Sequence, residues 1–316
     1  MQEMMDWRPS ADFDTLKKRA QLLADVRAFF AARAVMEVDV PVLARATVTD
    51  VHIESFVVTD PARTAEQYYL MTSPEFYMKR LLAAGCGPIY YLGSAFRAEQ
   101  TGSCHQPEFT MLEWYRPQWT IQQLMQEVSD LVSGFVAGDI RYTTYRQAFL
   151  DYVGIDPYST SLVELKMLAR EKLSPSFDDD DRNIWLDLLF SHLVEPQLSG
   201  LVFVEQFPAE QAALAQTFID EFGNDVAARF ELYIGGMEVA NGYQEELDPE
   251  VLAARFADNL AVRKMRGQVL PAVDAQFLAA MRAGMPVCAG VALGFDRLLM
   301  AKCSRKQIAT VVPFAL

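Results

Sequence analysis

The stretch IYYLGSAFRAEQTGSCHQPEFTMLEWYRP, residues 89–117, decides the fold. Two β-type runs, 88–97 and 109–115, flank the polar loop Gln100 to Pro107, which reads as a hairpin. Side chains alternate across a strand, so Arg97 and Glu99 share one face of the first run. On the second, Phe109, Met111, Glu113 and Tyr115 share a face, with Thr110, Leu112 and Trp114 on the other. One face then gathers a guanidinium, two carboxylates and two aromatic rings. A surface hairpin laced by salt bridges is the alternative, but it would not need apolar residues filling the opposite face. The pattern suits the floor of a ligand site.

A second hairpin is written in RFELYIGGMEVANGYQEEL (229–247), where Gly235-Gly236 fits a two-residue turn. That turn would set Ile234 opposite Met237 and Tyr233 opposite Glu238, making Glu231 and Glu238 diagonal neighbours. Two carboxylates so placed repel each other unless a cation lies between them, and Mg²⁺ held with nucleotide phosphates is the natural one. Two solvated glutamates on an edge ribbon are the plainer alternative. In PVCAGVALGFDRLLM (286–300), Gly290, Ala292 and Gly294 alternate along a strand and leave one face bare for a flat ligand, with Val291 and Leu293 behind. Tight sheet packing would also favour small residues there. The chain then enters a helix with Arg297 near its first turn, where a guanidinium can meet phosphate. TSPEFYMKR (72–80) reads as a helix start, with Ser73-Pro74 as cap and first residue and Glu75 in the first turn.

Outward from these clusters, Leu16, Leu23, Val26, Phe29 and Phe30 recur at helical spacing over residues 15–34. EVDVPVL (37–43) alternates as a strand, as does 66–72. Helices are expected over 74–84, 120–136, 161–172, 183–194, 208–222, 249–265 and 274–283, and strands over 229–234, 237–241 and 287–293. SPSFDDDDR (174–182) is a solvated loop on its composition. Strands and helices mix without a βαβ rhythm, which predicts an α+β fold with an antiparallel sheet flanked by helices.

Composition narrows the function. Of 316 residues, 51% are hydrophobic and 22% charged, enough for a large core. No apolar run approaches the roughly 18–20 residues of a membrane span, so no membrane partner is expected. The start MQEMMDWRPSADFD is acidic and polar, unlike a secretory signal. Cys86, Cys104, Cys288 and Cys303 form no CxxC and read as reduced thiols of a cytoplasmic protein. Cys104-His105 lacks a further ligand pair for a metal, and His52, His105 and His192 read as structural or solvated. With 28 Lys and Arg against 42 Asp and Glu, the net charge is −14, and no basic stretch is extended. Stable nucleic-acid binding is therefore not expected.

The clusters resemble a known family. FRAEQ…HQPEFTMLEWY resembles motif 2 of class II aminoacyl-tRNA synthetases, GVALGFDRLLM resembles motif 3, and VMEVDVPVL looks like the dimer-forming motif 1. TSPEFYMKR and GGMEVANGYQEEL match the lysine-specific subgroup, and all five fall in the family's order over most of the chain. The resemblance implies a homodimer that uses ATP and Mg²⁺. It makes Arg97 and Arg297 the catalytic pair, Arg97 holding the substrate carboxylate and the α-phosphate. Glu99 would read the adenine amino group, and Phe109 would stack beneath the base with Arg297 on its other side or on phosphate. Ala98, Gln106, Glu238, Val239 and Gly294 complete the implied ATP site. Ser73, Pro74, Glu75, Asn241, Tyr243 and Ala292 would line the amino-acid pocket. Tyr115 and Glu245 would bind a distal ammonium, with Glu113 nearby, and Glu231 and Glu238 would hold Mg²⁺. Gln106 stands where the family usually has asparagine, and Tyr243 where phenylalanine is more common.

Lysyl-tRNA synthetases carry an anticodon-binding barrel before motif 1. Here 36 residues precede Glu37, below the length of about 40 at which a domain folds unaided, so one catalytic domain over 1–316 is expected, without an anticodon-binding domain. That pattern, with QFPAEQAALA (206–215), GMPVCAGVALG (284–294), Ala240 and Ala292, is similar to the elongation factor P β-lysine ligases. It implies activation of (R)-β-lysine as an adenylate and transfer to a lysine of elongation factor P. Three alternatives stand beside it: a truncated synthetase that charges tRNA, a non-catalytic paralogue serving as a binding module, and an ammonia-dependent amide-forming enzyme. The second conflicts with the joint presence of Arg97, Glu99, Glu231, Glu238 and Arg297, and the third with the lysine-type pocket.

Overall fold

Asp12 accepts the Thr15 N–H at 2.6 Å and caps the helix Phe13–Ala31, whose buried stripe includes Leu22, Val26 and Phe30. Phe30 stacks on Tyr90 with ring centroids 4.5 Å apart and meets Trp114 edge-on at 5.3 Å. The helix thus covers one face of the first hairpin. That hairpin is Ile89–Phe96 against Glu108–Pro117, antiparallel as expected, with Ala95 opposite Phe109 and Tyr91 opposite Glu113. The computed structural model describes residues 7–63, 66–98 and 101–316.

The chain forms two units. One comprises Met1–Tyr115, Asp248–Pro286 and Leu293–Leu316. It holds the first hairpin, the short strand Met36–Glu37 parallel to Ile89–Phe96, and a small antiparallel sheet of Leu43–Ala44, Gln67–Leu70 and Val57–Thr59. Its helices Glu75–Ala83, Pro249–Met265 and Ala275–Ala283 meet through Phe76, which stacks on Phe277 at 4.3 Å and tilts against Phe256 at 5.9 Å. Helix Phe295–Lys302 is fixed by Asp296, a buried carboxylate that accepts from Arg19 at 2.5 Å and from the Thr110 N–H at 2.7 Å.

The other unit comprises Arg116–Leu247 and Val287–Ala292. Its second hairpin, Asp225–Ile234 with Met237–Gln244, is joined by Leu201–Pro208 and Thr217–Ile219, both antiparallel to Asp225–Ile234. Ile140–Thr144 extends this sheet parallel to Leu201–Pro208. Behind it, Phe149, Trp185, Phe190, Phe207 and Tyr233 form a continuous core with the helices Tyr145–Tyr152, Leu162–Leu173 and Arg182–Leu189. The charge is divided unevenly. This unit carries 22 Asp and Glu against 8 Lys and Arg, whereas the first carries 20 of each.

The fold is α+β with a predominantly antiparallel sheet flanked by helices, and among the described residues no helix is long and apolar enough to cross a membrane. Several local expectations need correction. Residues 208–222 are not a helix: Ala209–Gln211 is one 3₁₀ turn, Ala213 has φ 49°, and Thr217–Ile219 pairs as a strand. Good helix-forming composition there yields to sheet pairing. The helix expected over 183–194 stops at Leu189 and continues as a wider π turn, Phe190–Val194. Of EVDVPVL only the two ends are strand, Glu37 in Met36–Glu37 and Leu43 in Leu43–Ala44, in different sheets, while residues 38–42, Pro41 among them, lie outside both. Pro74, not Ser73, occupies the cap position of Glu75–Ala83, although Ser73 Oγ still accepts the Glu75 N–H at 3.1 Å.

Candidate active site

In the first unit, the helix start and the first hairpin bring together four of the expected residues. Glu113, 2% exposed, accepts from Ser73 Oγ at 2.8 Å and from Tyr115 Oη at 2.7 Å. Burial pushes its carboxyl up to about 8, and the nearby charge of Glu75 adds to the rise. Glu75 in turn is held by the ammonium of Lys79 at 2.7 Å, a lysine with no solvent exposure. Pro74 sets the entry of this helix. The result is an enclosed, acid-rich wall whose charge one buried lysine partly offsets.

Arg97 lies with its guanidinium 5.3 Å from the centre of the Phe109 ring, on the face that alternation predicted. Its Nε is buried without a hydrogen-bond partner among the described residues, as expected of a group meant for a ligand. Ala98 is exposed beside it. Glu99 lies outside the described residues. Gln106 is buried and accepts the Leu316 N–H at 2.9 Å. Arg297 donates to the Cys104 carbonyl at 3.3 Å and contacts His105 Nε2 at 2.8 Å, while Gly294 lies against its stem. All four cysteines are free.

In the second unit the register is Ile234 with Met237 and Tyr233 with Glu238, as the turn predicted, but Val239 is then an extra residue. This bulge brings Glu231 opposite Asn241. Burial raises the Glu231 carboxyl, Arg229 lowers it, and the charge of Glu238 raises it again, so the two carboxylates do feel each other. The cation beside Glu231 is Arg229, which pairs with it directly; Tyr233 Oη donates to its other oxygen. Asn241 donates weakly to Glu231 at 3.4 Å, and its buried Oδ1 has no partner among the described residues. Tyr243 stands opposite Arg229, and Glu245 is buried with its N–H on the Cys288 carbonyl at 3.0 Å. Val239 is buried inside the strand, and Ala292 is half-buried between buried Val291 and Leu293.

The family model for tRNA synthetases class II (D, K and N) matches residues 1–316. The chain belongs to the class II tRNA synthetases. Within them it is 42% identical over 322 aligned residues to the elongation factor P--(R)-beta-lysine ligase of Yersinia pestis (strain Pestoides F), covering 99% of this chain and 98% of that one. The protein of the same name from Yersinia pseudotuberculosis (serotype O:1b, strain IP 31758) matches to the same extent.

For a class II tRNA synthetase, four residues here were not foreseen from sequence. Lys79 is four residues after Glu75, a spacing that marks a helical ion pair. Arg229 is two residues before Glu231 on the same strand face, and Asp296 directly precedes Arg297. Arg19 gave no signal, because its partner lies 277 residues away.

Proposed function

We propose that this chain activates (R)-β-lysine with ATP as an aminoacyl-adenylate and transfers the acyl group to a lysine side chain of elongation factor P. The observation that carries this reading is the likeness, along nearly the whole of both chains, to ligases of that name. The local chemistry supports it. A diamino acid brings a second ammonium, and the buried carboxyl of Glu113, held by Ser73 and Tyr115, suits a bound cation once ionised, since a buried charge must be paired.

Arg97 would hold the substrate carboxylate and the α-phosphate, with Arg297 on the nucleotide's other side, Phe109 beneath adenine and Glu99 on its amino group. Ala98, Gln106, Val239 and Gly294 would line the same site. Ser73, Pro74, Glu75, Asn241, Tyr243 and Ala292 would shape the amino-acid pocket, and Tyr115 and Glu245 would receive the distal ammonium. A carboxylate oxygen attacks the α-phosphorus and pyrophosphate leaves. The acceptor amine then attacks the acyl carbon, AMP leaves, and the amine's proton passes to solvent. Holding the reactants in line and offsetting charge are what the residues contribute. Glu231 and Glu238 fit a hard cation by their oxygen donors and mutual repulsion, though Arg229 already occupies one oxygen. Mg²⁺ held there would offset phosphate charge. We read the chain as one catalytic domain acting as a cytoplasmic homodimer.

The test supplies radiolabelled (R)-β-lysine and ATP to the protein with elongation factor P and tRNA(Lys) together. Label is expected on the protein and not on tRNA. Efficient labelling of tRNA would favour a synthetase instead.

A further inference from the structure

Arg263 belongs to the helix Pro249–Met265, is 2% exposed, and lies outside every motif that drew attention in the sequence. Its Nε donates to the carbonyls of Thr49 and Asp50, both at 3.1 Å. Nη2 donates to the carbonyls of Asp50 and Ile53, each at 2.6 Å. Nη1 donates to the Val269 carbonyl at 3.0 Å and to the Glu54 carboxylate at 3.2 Å. Gln268 adds bonds to the Val51 carbonyl at 3.0 Å and to the Glu54 carboxylate at 3.1 Å.

Residues 49–54 have no strand or helix of their own, so their carbonyls find partners outside a regular ladder. One guanidinium supplies several of them and fixes the path of the loop. The loop has a second contact: the Glu54 carbonyl accepts the Ala98 N–H at 2.8 Å. On the other side, the Arg97 N–H donates to the Pro107 carbonyl at 2.9 Å. The backbone of Arg97 and Ala98 is thus gripped between the hairpin and the loop that Arg263 shapes.

We infer that Arg263 is a positioning residue for nucleotide binding, acting through residues 49–54 on Arg97 and Ala98. The inference rests on the reading that Arg97 and its neighbours take ATP. A lysine retains the charge but cannot reproduce a planar fork that meets several carbonyls at once.

The experiment measures ATP binding by calorimetry, which needs no turnover, and then the KM for ATP and for β-lysine in pyrophosphate exchange. Arg263→Lys should weaken ATP binding and raise its KM about tenfold, while the KM for β-lysine stays within about twofold. Unchanged ATP affinity, or an equal rise in both KM values, overturns the proposal, the latter marking general loosening. If circular dichroism shows that Arg263→Lys does not fold, Gln268→Ala decides: a rise of about threefold in ATP Kd supports the proposal and no change overturns it. Arg97→Ala separates the two levels. Where the intact protein binds ATP and Arg97→Ala weakens it but neither loop variant does, only the role of Arg263 falls. Where the intact protein does not bind ATP, the functional reading falls and this one with it.

Discussion

Glu113 shows how one side chain can set the charge of a site. Its carboxyl is raised to about 8 by burial first and by Glu75 second, against an ordinary value of 4.5. Between those values the folded protein holds a proton that the unfolded chain has released. Its contribution to stability is therefore complete below about 4.5 and is lost as pH rises through about 8. Glu113→Gln should flatten the fall in melting temperature across that window. If the proposed pocket holds β-lysine, Glu113→Gln should also abolish the gain in affinity expected of the intact protein as pH approaches 8, because only the ionised carboxyl pairs fully with an ammonium. A pH profile identical to that of the intact protein would remove Glu113 from both roles. The position of Glu113 was legible because strand alternation is strict. Its protonation was not, since that depends on Ser73 and Glu75, 40 and 38 positions earlier in the chain.

At the scale of elements, the second hairpin depends on a glycine that no motif explains. Gly242 stands opposite Phe230, and an added Cβ would lie 2.4 Å from that ring's tip and 3.1 Å from the Gly290 carbonyl oxygen. Phe230 is fully buried and cannot swing aside. Gly242→Ala should cost about 1–3 kcal/mol in urea unfolding, and an unchanged midpoint would mean that the ring has room to move. Both hairpins and their turns were readable because turn chemistry and alternation are local. The bulge at Val239 was not, and it moved Glu231 from the expected register to face Asn241. The strand Leu201–Pro208 escaped notice because a buried strand reads as a short apolar run, which periodicity alone does not separate from helix, and Ile140–Thr144 because its five residues, none of them buried, show no sustained alternation. The misread helix over 208–222 failed for the opposite reason: its local preference was clear, and pairing with Asp225–Ala227 overrode it.

For the whole molecule, the first unit is built from both ends of the chain. The Ser10 N–H donates to the Pro313 carbonyl at 2.8 Å, and Arg305 pairs with Asp12 at 3.0 Å. In the loop of the first hairpin, the Ser103 carbonyl accepts the Ile308 N–H at 2.7 Å. Deleting residues 308–316 should destabilise this unit by on the order of 3 kcal/mol. It should also expose residues 101–107 to limited proteolysis; resistance there would show that the loop is held by its own contacts. The uneven distribution of charge was already present along the chain, because the continuous stretch 116–247 holds every charged residue of the second unit; the partition only marked where that stretch begins and ends. The same two-ended construction has a consequence for biogenesis. The 303 residues that follow Ser10, up to Pro313, take a ribosome roughly 15–60 s to add at 5–20 residues per second. For that interval the nascent N-terminal helix lacks its final partners, whereas the stretch 116–247, most of the second unit, can fold as it emerges. Phe30 in its hydrophobic stripe can meet Tyr90 and Trp114 as soon as the first hairpin emerges, so what waits for the end of synthesis is the polar fastening of Ser10, Asp12 and Arg19 to Pro313, Arg305 and Asp296.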